Sequence, residues 1–182
     1  MRTPHDAYYT NVKVTEALLK RFQFPTEDVI LEPCCGAGNI SDTLKGHGHT
    51  VIATDLYQPN QSIPSGIIKT FDATSQDYWD YFDGLVDWVV TNPPFTFASS
   101  ILPKAFTTAK KGVVMLLRLS YLEPAKDRAE WLQQHPLYDL MVLNPRPSFT
   151  DDGKCDSVTT AWFVWLKEDT THTKITYIND WK

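Results

Sequence analysis

The chain has 182 residues, 42% hydrophobic and 13% aromatic, which is length for one domain and apolar surface for one substantial core. A net charge of −5 argues against general coating of nucleic acid, which needs clustered Lys and Arg, and does not exclude a local basic rim. No apolar run reaches the roughly 18 uncharged residues of a membrane span. The opening Met1-Arg2-Thr3-Pro4-His5-Asp6 lacks the order of a secretory signal, and three cysteines, Cys34 and Cys35 adjacent, form neither a disulfide framework nor a zinc spacing. The expectation is a cytoplasmic protein with reduced thiols and no metal.

Along the chain, residues 12–22 place apolar side chains at Val14, Ala17, Leu18 and Phe22, a helical period with Thr10 or Asn11 as N-cap. Val29-Ile30-Leu31 predicts a strand running into Glu32-Pro33, and the turn Cys34-Cys35-Gly36-Ala37-Gly38 leads to a helix over about 39–45. Thr50 to Asp55 is a second strand, Gly66 to Phe71 a third ending at Asp72, and residues 76–82 suit a short aromatic helix. Val86 to Thr91 is a fourth strand, stopped by Asn92-Pro93-Pro94-Phe95 because two prolines cannot continue a ladder. A helix over 97–109, the very apolar strand Gly112 to Leu119, a helix over 125–134 and strands near 139–143 and 159–166 complete the series.

Strands alternating with helices through short connections predict an α/β fold with a doubly wound, mostly parallel seven-stranded sheet. The last two long strands have no helix between them, so one is expected to run antiparallel at or near the sheet edge. Asn144 to Ser157, rich in Pro, Gly and Asp, is the main loop. Trp162, Phe163 and Trp165 read as core, and the five histidines as neither catalytic nor metal-binding.

Ligands of open α/β sheets bind beyond the carboxyl ends of the strands, where the strand order reverses, so strand-end residues carry the functional reading. Glu32 to Gly38 closes the first strand with glycines that let a ligand approach the backbone and the free amides of the next helix; alone, such a turn is commonplace. Asp55 is placed to accept from ribose hydroxyls, or to serve as a plain turn acid. Asp72, at the third strand end, suits an adenine amino group. A Gly-rich turn, an acid and an acid on successive strands fit a nucleoside-bearing cofactor, and Ser41 in place of a third glycine argues against NAD.

Asn92-Pro93-Pro94-Phe95 narrows the chemistry. The prolines stiffen the backbone so that the Asn92 side-chain carbonyl and the Pro93 main-chain carbonyl converge on one amino group, and Phe95 offers a ring for stacking a flat substrate. An exocyclic amine or a carboxamide is a poor nucleophile because its lone pair is delocalised. Two acceptors holding its hydrogens favour a pyramidal nitrogen that attacks a methyl sulfonium in line, and the proton leaves to water because Asn is no base. In isolation the same tetrapeptide is a proline-rich turn.

With Tyr9-Thr10, Glu32-Pro33-Cys34-Cys35-Gly36-Ala37-Gly38, Asp55, Asp72 and Asn92-Pro93-Pro94-Phe95 in that order, the chain resembles the S-adenosylmethionine-dependent amino-methyltransferases, bacterial and phage adenine-N6 DNA methyltransferases in particular. The resemblance implies a Rossmann-like class I methyltransferase fold, one catalytic domain over 1–182, and S-adenosylmethionine as cofactor. It puts Glu32, Gly36 and Gly38 around the methionine portion, Asp55 at the ribose, Asp72 at the adenine end, and Asn92, Pro93, Pro94 and Phe95 at the target nitrogen. Thr10 falls near the cofactor carboxylate, with Tyr9, Pro33, Cys34, Asn39, Leu56, Ala73 and Asn92 also lining the cofactor; Asn11 stands where the family often has proline. DNA is the implied substrate, with adenine in RNA or a protein glutamine as alternatives, and a non-catalytic methyltransferase-like subunit as a further one.

No stretch is long enough for the separate target-recognition domain that many such enzymes carry. Specificity then falls to loops 56–66, 96–100 and 145–157, to a partner subunit, or is low. The basic rim is drawn from Lys104, Lys110, Lys111, Arg118, Arg128 and Arg146, of which Arg118 and Arg146, with Phe149, are expected to touch nucleic acid. Pro145 to Phe149 pairs a guanidinium with an aromatic, suited to phosphate contact and base stacking or to pinning the loop onto the core.

Overall fold

The computed structural model describes residues 10–56, 67–69, 71–123, 125–147, 158–168 and 171–181. Its elements are α1 (Val12–Leu19), β1 (Val29–Glu32), α2 (Asn39–Gly46), β2 (Thr50–Asp55), β3 (Ile67–Lys69), α3 (Gln76–Phe82), β4 (Trp88–Thr91), α4 (Ala98–Thr108), β5 (Gly112–Arg118), α5 (Lys126–Gln134), β6 (Asp139–Leu143), β7 (Thr160–Leu166) and β8 (Lys174–Ile178). Among the described residues no helix is long and apolar enough to cross a membrane.

The strands form one sheet in the order β3-β2-β1-β4-β5-β7-β6-β8. β7 runs antiparallel to both its neighbours, and every other pair is parallel. This is the doubly wound, mostly parallel sheet expected from the alternation, and all seven expected strands are present. Two features differ in detail: the antiparallel strand lies inside the sheet between β5 and β6, and β8 adds an eighth strand at the edge.

Burial on both faces explains the composition of the central strands, which read as continuous apolar runs. Along β5, Val113, Met115 and Leu117 enter the core under α3, α4 and α5, while Val114 and Leu116 enter the one under α1 and α2. β7 divides in the same way, Phe163 and Trp165 to the first core and Trp162 and Val164 to the second, so the tryptophans expected in the core are there. β8 is held by a polar clasp: the buried Asp139 carboxylate accepts from Thr176 Oγ1 at 3.1 Å and pairs with Lys174 Nζ at 3.2 Å. Its Ile175 and Tyr177 stay 59% and 64% exposed.

Tertiary packing also trims two expected elements. α1 stops at Leu19 rather than at residue 22, and Phe22 and Phe24 instead meet the Trp88 ring edge-on, centroids 5.4 and 5.2 Å away. β4 begins at Trp88 rather than Val86, because Asp87 turns back to accept from the Val29 amide at 2.9 Å.

The amino edge of the sheet is closed by charge. Buried Asp28 accepts from Trp88 Nε1 at 2.8 Å and from Lys111 Nζ at 2.7 Å, and Lys110 lies 3.7 Å from Asp87. The opposite, carboxyl edge opens between β1 and β4, the point where the strand order reverses.

Candidate active site at the carboxyl edge of the sheet

Three chain segments meet where β1 and β4 end. The first is the loop after β1, whose backbone turns through Gly36 at φ 53° and Gly38 at φ 88°, left-handed values that glycine adopts without strain. The tip of β2 fixes this loop: the Cys35 amide donates to the Thr54 carbonyl at 3.0 Å, and the Gly36 amide to Asp55 Oδ2 at 2.8 Å. Asp55 therefore does serve as a turn acid, the alternative that its sequence position left open, since one carboxylate oxygen holds the glycine turn in place.

Glu32, the last residue of β1, is 1% exposed, and its Oε2 has no hydrogen-bond partner among the described residues. Burial raises its carboxyl well above the ordinary range; the hydroxyl and amide of Ser41 pull it down, and the charges of Asp55 and Asp42 push it up. A buried carboxyl oxygen without a donor is costly, and an ammonium group entering the crevice would relieve it. Burial likewise raises the Cys34 and Cys35 thiols, so they are protonated and poor nucleophiles.

The second segment is the N-terminal approach to α1. Thr10 is 4% exposed; its carbonyl accepts from Asn39 Nδ2, at the start of α2, at 2.7 Å. The third is the tip of β4. Asn92 Nδ2 donates to Thr10 Oγ1 at 3.1 Å, which joins the prolyl turn to the glycine loop through Thr10. Pro93 is buried, Pro94 half-buried, and the Pro94 carbonyl receives the Phe97 amide at 2.9 Å. The turn is thereby locked into the start of α4.

Phe95 is half-buried and carries the Arg118 guanidinium over its ring, 4.4 Å from the centroid. A second pair stands nearby in the chain: Arg128 lies 5.0 Å from the Tyr121 centroid and donates to the Glu123 carbonyl at 2.6 Å. The ring expected to stack a substrate thus already has a planar cation on it, a contact no sequence pattern signalled.

Asp72 lies beyond the end of β3, exposed, its Oδ1 accepting from the Thr74 amide at 2.8 Å and the Thr74 hydroxyl at 2.7 Å. It closes a turn before α3. Ala73 is buried and its carbonyl takes the Trp79 indole N–H at 2.8 Å; Leu56 is 41% exposed. Arg146 is exposed in the segment joining β6 to β7, which leaves and re-enters the sheet at this same edge. Tyr9, Phe149 and most of the loops 56–66 and 145–157 lie outside the described residues.

The basic rim needs a correction. Lys110 and Lys111 stand at the amino edge, opposite the crevice, each paired with an aspartate, and Lys104 donates to Ser100 O one turn back on α4. Arg118, at the end of β5, does stand at the carboxyl edge beside the prolyl turn. Charge type is readable in a sequence, but the edge a charge occupies is set by which strand end it follows.

In fold, the chain is similar to the methyltransferase subunit of a type I restriction-modification system from Streptococcus thermophilus, with TM-score 0.63 and 14% identity over 93% of this chain and 47% of that one. It is also similar to the M protein of the type I restriction enzyme EcoKI, with TM-score 0.63 and 15% identity over 89% of this chain and 44% of that one. A predicted O-methyltransferase from Agrobacterium tumefaciens shares it too, at TM-score 0.59 and 13% identity over 92% and 85%. The chain spans less than half the length of the two modification subunits. No protein-family model and no curated protein matches it. What is held in common at these identities is the class I methyltransferase fold.

Proposed function

We propose that the protein transfers a methyl group from S-adenosylmethionine to an exocyclic amino nitrogen, N6 of adenine in DNA. The observation that carries this reading is the Asn92–Thr10–Asn39 hydrogen-bond chain, which ties the Asn-Pro-Pro-Phe turn to the glycine loop at the strand-order reversal. The fold is shared with a predicted O-methyltransferase, so the choice of nitrogen rests on Asn92 and not on the fold.

The residues of the crevice fit the cofactor. Among the described residues Glu32 has an orphaned buried oxygen that would take the ammonium of the methionine tail, Gly36 and Gly38 leave backbone open to close approach, Asp55 would accept from the ribose, and Asp72 and Ala73 would serve the adenine end. When bound, S-adenosylmethionine supplies a methyl group on a sulfonium leaving group. The protein supplies orientation and electrostatics. The Asn92 side-chain carbonyl and the Pro93 carbonyl accept from the target NH2 and draw its lone pair out of conjugation. Transfer of that methyl group to the nitrogen would release a proton to water, since Asn92 is no base.

In duplex DNA the target base must leave the stack to reach this turn. Phe95 with the Arg118 guanidinium on it offers the extruded base a flat, cationic wall. The neighbours described as modification subunits are parts of assemblies by that description, which supports a partner subunit as the source of sequence specificity.

Incubation with methyl-labelled S-adenosylmethionine and separate pools of DNA, RNA and protein, followed by mass spectrometry, is the test, with N6-methyladenine in DNA expected. Label found only in RNA or on a protein glutamine overturns the DNA assignment, and no label in any pool overturns methyl transfer. Asp55→Ala is expected to weaken cofactor binding measured by calorimetry, whereas Asn92→Ala leaves binding intact and abolishes transfer. Equal loss of both in either variant contradicts this division of labour.

A further inference from the structure

The ion pairs among the described residues match Arg21, Lys110, Lys111 and Lys174 with aspartates. Arg118 and Arg128 have no carboxylate partner in that set and lie over aromatic rings instead, 4.4 Å from the Phe95 centroid and 5.0 Å from that of Tyr121. A ring attracts a guanidinium through its face, whereas a phosphate is bound by the N–H groups along the guanidinium edge. The ring therefore holds the cation in place and leaves its charge and its donor edge to an anion.

Both pairs stand at the carboxyl edge of the sheet. Arg118 ends β5, Tyr121 lies in the 3-10 turn Leu119–Leu122 that follows, and Arg128 is in the first turn of α5. Across from them Phe95 belongs to the prolyl turn, and the Tyr121 hydroxyl lies against Ser99 in the first turn of α4. The two cations thus line one seam, between the Asn-Pro-Pro-Phe turn with α4 on one side and the segment after β5 on the other.

Arg128 is further aimed by the bond from its Nη2 to the Glu123 carbonyl at 2.6 Å. The Nε of each arginine is buried with no hydrogen-bond partner among the described residues, a cost that a nearby anion would offset. Phe97, 51% exposed at the start of α4, adds an aromatic surface for an unstacked base beside the same seam.

We infer that Arg118 and Arg128 are a pair of phosphate-binding residues for the polynucleotide strand that presents the target base. The class of ligand rests on the nucleic-acid reading above, but phosphate binding is measured without cofactor and without adenine.

Fluorescein-labelled single-stranded oligothymidine offers phosphates and no target base. It is titrated with the protein over a series of salt concentrations and followed by anisotropy. Arg118→Ala and Arg128→Ala are each expected to weaken binding about tenfold, the scale of one charge-assisted hydrogen bond, and to reduce the slope of log K against log salt by about 0.7. Arg118→Gln and Arg128→Gln repeat the loss of charge at closer size should alanine disturb folding. Lys110→Ala, which removes the same charge at the opposite edge, is expected to leave affinity and slope as they are.

Unchanged affinity and slope in either arginine variant overturns the inference, even where DNA is methylated. So does an equal loss in Lys110→Ala, because net charge and not a site would then govern binding, and so does failure of the unsubstituted protein to bind oligothymidine. The expected losses with no methyl transfer to any acceptor uphold the phosphate site and overturn the methyl-transfer reading instead.

Discussion

Glu32 is a carboxyl buried beside Asp55 with one oxygen lacking a donor among the described residues. Its folded-state pKa is raised, so the native protein holds a proton that the unfolded chain has already released. Stability from this group is complete below the ordinary carboxyl value of about 4.3, and it is lost as pH rises from there through the raised folded value. Glu32→Gln should flatten that decline, so its thermal midpoint falls less than that of the unsubstituted protein as pH rises above about 4.3. Parallel slopes in the two proteins would show that Glu32 is not the titrating group. At the same scale, Glu32, Asp55 and Asn92 were legible as candidate site residues because each is a polar residue at the tip of an apolar strand. Their mutual bonds were not, since a polar side chain at a strand tip reveals neither its partner nor the oxygen it uses.

Among the elements, the start of β5 shows how packing restricts residue choice. A Cβ at Gly112 would strike the Trp165 carbonyl and come within 2.7 Å of Trp88 Cζ3. Three strands converge there, β4 and β7 flanking β5, and only hydrogen fits. Gly112→Ala is expected to cost about 1–3 kcal/mol, as overpacking of a tight core does, read as a lower urea midpoint at unchanged slope; an unaltered midpoint would mean that the strands part without penalty. The strands themselves were plain in the sequence, because double-sided burial writes long apolar runs. β8 was not: of Ile175, Tyr177 and Ile178 only the last is buried, so its short pattern has no clean alternation. The strand is set by its parallel ladder with β6, from Asp139↔Lys174 to Leu143↔Ile178, with Asp139 also accepting from Lys174 and Thr176.

For the molecule as a whole, Trp162 is the residue that joins the parts. It is fully buried in β7, and its indole Nε1 donates to the Val14 carbonyl on α1 at 3.0 Å. Trp162→Ala should cost about 3–5 kcal/mol, the usual range for emptying a large aromatic site. Unfolding followed by far-UV circular dichroism and by intrinsic fluorescence should remain one coincident transition. Separate transitions would show that α1 and the C-terminal strands unfold independently and that β7 does not unite them.

By itself the sequence determined the architecture class, seven of the eight strands among the described residues, and the three strand tips bearing Glu32, Asp55 and Asn92, because alternation, glycine turns and prolyl stops act within a few residues. Only the tertiary structure decided that β7 is inserted antiparallel inside the sheet, that Lys110 and Lys111 close the far edge, that Arg118 lies on Phe95, and that Thr10 grips Asn92. These are contacts between residues far apart in the chain. No local pattern encodes them, and they arise only once burial of two hydrophobic faces has brought the strand ends together.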